Sequence, residues 1–122
     1  MYTNRQEKQI LHNMIIEQVN FDPQFIHCMK LLIQLQQDDH IEHTLWPTND
    51  YLHNIDHTVQ NYYHAQPLSN LWDKTRSTLQ TLTHYQLFCI LYYLLDMQDE
   101  ELSCLWKSVE QASKKGLQCT KN

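Results

Sequence analysis

The sequence predicts an all-α fold: a compact single-domain bundle of five or six short helices. Three observations carry that prediction. One Gly and three Pro in 122 residues leave too few turn formers for the hairpins of an all-β architecture. Apolar residues recur with a 3.6-residue period in successive segments. Side-chain caps stand in front of most of those segments. A chain of this length is normally one domain and buries enough surface to fold without staples. Its three Trp, seven Tyr and three Phe provide large core pieces, which argues against disorder. The helical domain is expected over 1–116, with a flexible tail at 117–122.

The first helix is expected over 4–20. Asn4 with Glu7 has the form of a capping box, and Ile10, Leu11, Met14, Ile15 and Val19 follow at helical spacing. Asp22 before Pro23 marks a second start, a capping side chain followed by a residue whose missing N–H is no loss there. Phe25, Ile26, Met29, Leu32, Ile33 and Leu35 carry that helix to 37. Segment 38–49 is the least regular. It is expected as a loop, with room for one helical turn, bent at Trp46-Pro47 and held down by Leu45 and Trp46.

Thr48 or Asn49 should cap a helix over 49–65 whose inward set is Leu52, Ile55, Val59, Tyr62 and Tyr63; Pro67 should end it. Ser69 then caps a helix over 70–82 with Leu71, Trp72, Leu79 and Leu82 inward. Thr83 with Gln86 forms another capping box and starts a helix over 84–96. That helix holds the longest apolar run, Leu87–Leu95, and is expected at the centre of the fold. Acids from Asp96 to Glu101 suit a last helix start. Leu102, Leu105, Trp106 and Val109 are its apolar face, and Gly116 is its expected C′ residue.

Charge is unevenly spread. The formal net charge is −5, and segment 38–64 carries all of it: Asp38, Asp39, Glu42, Asp50 and Asp56 with no Lys or Arg. The same segment holds His40, His43, His53, His57 and His64. Free imidazole titrates near 6.5, so this stretch changes charge near neutral pH. Protonating all eight His would take the chain from −5 to +3. Poor solubility is expected near the sequence pI of 5.8.

At about 100° per residue, His53, His57 and His64 project to one side of their helix, opposite the apolar set. They are expected to face solvent or a partner. A His pair at i, i+4 can chelate a transition metal such as zinc, with a third ligand drawn from the loop. His53, His57 and His43 are therefore the candidate metal set. Nothing matches HExxH or zinc-finger spacing, and the first expectation is no cofactor.

Other chemistry is poorly provided for. His27–Cys28 and His84–Cys89 are badly placed on a helix for a nucleophile–base pair. There is no nucleophile elbow, and one Gly cannot build a phosphate-binding loop. Nine basic residues against fourteen acids give no basic face for nucleic acid. Cys28, Cys89, Cys104 and Cys119 lack CxxC spacing, so a disulfide framework is not expected. No signal peptide opens the chain. An apolar run of nine residues falls short of the roughly twenty needed to span a bilayer. The expected location is cytoplasmic.

By elimination, the expected function is binding a protein partner, as an inhibitor, regulator or accessory factor, with no direct nucleic-acid or membrane contact. The candidate partner-binding residues are His53, His57, His64, Asp50, Asp39, Glu42, Tyr92 and Tyr93. The acids favour a partner with a basic surface. The tyrosine side of the helix over 84–96 suits an interface, including one between two copies. Two Ala against fourteen Gln suggest low-GC coding, which suits a bacterial, phage or mobile-element protein that blocks a host system. The alternative is a metal-binding or pH-responsive protein using the His/Asp/Glu cluster.

Overall fold

The computed structural model describes residues 5–45, 50–64 and 67–119, with side chains described as far as Lys114. The expected Asn4 cap, the Trp46-Pro47 bend, the Thr48 or Asn49 cap and the tail beyond 119 lie outside these residues. The described residues form seven helices and no strand: α1 (Arg5–Phe21), α2 (Phe25–Gln37), α3 (Ile41–Leu45), α4 (Tyr51–Tyr62), α5 (Pro67–Leu79), α6 (His84–Leu95) and α7 (Asp99–Cys119). The fold is all-α, with seven helices where five or six were expected. The addition is α3, which occupies the segment read as a loop. Five residues are too few for a periodic signal, and packing of Ile41 and Thr44 against the body makes such a helix hold.

α2 is the central element, against α1, α3, α5, α6 and α7. This corrects the expectation that α6 would be central. α2 buries seven residues from Phe25 to Leu35, whereas α6 packs on α1, α2 and α3 and leaves one flank in solvent. α1 and α7 lie together on one side of α2; α4 packs on α3 and α5. Ile15, Val19, Ile55, Trp72, Leu79, Leu91, Leu105 and Val109 join α2 in one continuous core.

Local start and stop signals explain the helix limits, with three corrections. Asp22 accepts from the Gln24 backbone N–H at 3.0 Å, so it makes a turn leading into α2 rather than a cap directly on it. Pro67 opens α5 instead of closing α4; its fixed φ and absent N–H suit a first helical position. Ser69 is consequently inside α5. α7 runs through Gly116 to Cys119, because a glycine within a helix lowers its stability by only about 1 kcal/mol and does not stop it. The Thr83–Gln86 capping box forms as expected, with both reciprocal hydrogen bonds.

Buried hydroxyls are satisfied locally. Thr44, Thr58 and Thr75 donate to the carbonyls of His40, Asn54 and Trp72, which removes the penalty of burying them. Buried Cys28 donates weakly to the Thr75 carbonyl across α2 and α5. Burial, then the charge of Asp22, pushes its thiol up to about 12, so it is an inert core group.

Candidate functional site

Asp50 caps α4. Its carboxylate accepts from the His53 backbone N–H at 3.1 Å, satisfying one orphan donor of the first turn. The cap aligns the first turn so that Ile55 and Val59 are buried while His53 and His57 stand in solvent. The two rings lie roughly parallel, 6.4 Å apart, as i, i+4 geometry requires. His64 is also exposed. However, α4 ends at Tyr62, so His64 sits in the following turn and not on the stripe. Tyr62, expected inward, is exposed: it is the last residue of α4, and its ring stacks on His40.

The acids of 38–64 divide into two groups. Asp50 is a cap. Asp38 accepts from the Tyr63 hydroxyl at 2.6 Å and from Gln34 at 3.0 Å. Asp56 accepts from the Trp72 indole N–H at 2.7 Å and from Gln60 at 3.2 Å. Three carboxylates read as surface charge thus also make structural bonds: Asp50 caps α4, Asp38 ties the residue after α2 to the residue after α4, and Asp56 joins α4 to α5. Glu42 and His43 are exposed on α3, and Asp39 is exposed in the preceding turn with φ of 62°.

That turn has defined chemistry. His40 N–H bonds to the Leu35 carbonyl at 2.7 Å and Asp39 N–H to the Gln36 carbonyl at 3.0 Å. This is the paired bonding of a Schellman ending, with Asp39 in the left-handed position glycine normally takes. It sets His40 against α4, stacked on Tyr62 at 4.0 Å and edge-on to Tyr63 at 5.8 Å. Burial first, then the hydrogen bond to Asp38, raises the Tyr63 phenol above its ordinary value, so it remains a donor at neutral pH.

The candidate metal set does not assemble. Among the described residues no three His, Cys, Asp or Glu side chains converge as a metal-holding group. His53 and His57 lie side by side, but His43 does not complete a site with them. Cys28, Cys89 and Cys104 are free thiols. No described helix is long and apolar enough to cross a membrane.

Tyr92 and Tyr93 separate. Consecutive helical residues point about 100° apart, so only one can share the outer flank of α6. Tyr93 is 5% exposed, and burial followed by the charge of Glu101 raises its phenol. Tyr92 is half-buried and stacks on Phe88 at 5.7 Å. Phe88, within the apolar run Leu87–Leu95, is 37% exposed.

Here the structure shows a surface that the sequence reading only grazed. Glu7, Ile10 and Leu11 of α1 face Tyr85, Phe88 and Tyr92 of α6 across an open groove of about 280 Å³. Ile10 is 66% and Tyr85 76% exposed. The nearby Cys89 thiol, by hydrogen bonding first, raises the Tyr85 phenol. The available signal was the uniform greasiness of α6: a run apolar on every side, packed against three helices, leaves one side uncovered. Periodicity gave no way to choose that side.

Comparison with family models, with curated proteins and with solved structures finds no match to this chain.

Proposed function

We propose that this protein acts by binding another protein, one with a basic surface, as a small acidic regulator, inhibitor or accessory factor. The observation that carries the reading is the combination on one molecule of a −5 formal charge with large apolar side chains left in water at Ile10, Tyr85 and Phe88. Exposed apolar groups gathered at one place are the mark of a contact surface rather than of scattered surface hydrophobes. The acids add long-range attraction for a cationic partner and suppress acidic ones. His53, His57, His64 and His43, all exposed, stand among those acids, and positive charge gained by imidazole in mild acid would cancel negative charge there.

The test is affinity capture from the source cell at two salt concentrations and two pH values, followed by binding measurements with the purified captured protein. The reading expects affinity that falls with added salt and falls again as pH drops through the histidine range. Glu42→Gln should weaken the complex. Binding indifferent to both salt and pH removes the acidic flank from the function.

A further inference from the structure

We infer that the groove between α1 and α6 receives an arginine-bearing apolar segment of the partner protein, in helical form. This rests on the reading above that the protein works by binding a basic partner, and it names where and through what chemistry.

Four features of the groove select that occupant. Its walls are Ile10 and Leu11 on one side and Phe88 on the other, which take an aliphatic side chain. Its volume, about 280 Å³, suits one or two inserted side chains and not a broad flat face; a stable dimer buries on the order of 800 Å² per partner. The groove walls are two helices, and a third amphipathic helix laid between them presents its i, i+3 and i+4 positions to such a slot.

The fourth feature is charge. Among the described lining residues the carboxylate is Glu7, and none is Lys or Arg. α6 itself has no Lys or Arg from His84 to Leu95. The exposed rings of Tyr85 and Phe88 add electron-rich faces, and a guanidinium stacks on such faces while its edge hydrogen-bonds a carboxylate. An acidic or neutral segment would gain neither contact. Tyr85 stays a neutral phenol at working pH, since its titration is raised.

The probe is a synthetic amphipathic peptide of about 15–20 residues, long enough to hold a helix, with leucine on one face and arginine on the other. Its controls are the leucine/glutamate analogue and a scrambled leucine/arginine sequence. Backbone and methyl NMR of the full chain reports the site. The expected result is saturable movement of the Ile10, Leu11, Tyr85, Phe88 and Tyr92 signals by the arginine peptide, and none by the glutamate peptide. Phe88→Gln should abolish that movement, with an unchanged circular dichroism spectrum as the check on folding. Glu7→Gln should weaken binding about two- to fivefold and flatten its salt dependence.

An arginine peptide that leaves the groove signals unmoved at millimolar concentration overturns the inference. Equal binding of the scrambled or glutamate peptide does so as well. Signals that move only around Asp50, His53 and His57 would also sink it, while the broader reading of a basic partner would survive. Concentration-dependent self-association lost in Phe88→Gln would replace the occupant with a second copy.

Discussion

The Tyr63 hydroxyl donates a 2.6 Å hydrogen bond to Asp38, 25 positions earlier in the chain. It ties the residue after α4 to the residue after α2, beside the stack of His40 on Tyr62. A phenol bonded to a carboxylate is a charge-assisted pair, stronger than a neutral one, and solvent access lowers its net worth. Tyr63→Phe should cost about 1 kcal/mol. Asp38→Asn should cost a similar amount, and the double variant less than the sum, because the two changes remove one interaction. Urea unfolding of the four chains measures this; strict additivity would mean the pair contributes nothing.

Asp39 predicts the opposite sign. Its φ of 62° is strained for a residue with a Cβ, although Asp tolerates it better than most. Asp39→Gly should stabilise the fold by about 0.5–1 kcal/mol, with the glycine's extra unfolded-state freedom limiting the gain. Asp39→Val should destabilise by more than about 1 kcal/mol, since a β-branched side chain crowds this conformation. Melting temperatures of the three chains should rank Gly, Asp, Val from highest to lowest.

Trp72 and Asp56 make a second anchor, between α5 and α4, at 2.7 Å. Trp72 is nearly buried, so an unpartnered indole N–H there is costly. Asp56→Ala should destabilise by about 1–3 kcal/mol. Gln60→Ala removes only the outer bond to the same carboxylate and should change stability by less than about 0.5 kcal/mol. Denaturant midpoints separate the two; equal costs would show that the Trp72 bond is worth no more than the outer one.

Alkaline pH should reveal Cys28. Its thiol is raised from 9.0 to about 12 in the folded chain, so the native state keeps the proton after the unfolded state has lost it. The contribution is complete below pH 9 and declines as pH climbs toward 12. The slope is at most about 1.4 kcal/mol per pH unit for this one group. Tyr63 and Tyr93, raised from 10.0, steepen the decline above pH 10. Cys28→Ala should start less stable, from the lost buried sulfur, yet show a shallower fall between pH 9 and 10. Identical slopes in the two chains would exclude the thiol as their source.

Much of the helical framework was legible residue by residue. Thr83 with Gln86 named its own capping box, and Leu102, Leu105 and Val109 their own buried face. These signals are local: a cap lies within four residues of the groups it satisfies, and a periodic stripe needs only its own helix. Pro67 was misread because proline is equally at home after one helix and at the start of the next; the difference lies in which backbone the neighbouring residues pack against. α3 was legible only as room for one helical turn in a loop, because five residues hold less than two turns of pattern.

The outward histidines of α4 were also legible, since Ile55 and Val59 fixed the inward side. The acids were read less well. Asp38 and Asp56 looked like free surface charge because their partners, Tyr63 and Trp72, lie 25 and 16 positions away. Nothing in sequence spacing announces a bond of that reach.

By itself the sequence determined an all-α chain, its principal helix starts, its concentration of charge, and the solvent-facing histidines His53 and His57. Tertiary structure alone decided that α2 and not α6 lies at the centre, that Tyr93 turns in while Tyr85 and Phe88 turn out, and that Ile10 meets them across a groove. Amphipathic pattern tells a helix which of its sides avoids water. Where every side avoids water, as in α6, only the neighbours that arrive can decide which side stays uncovered.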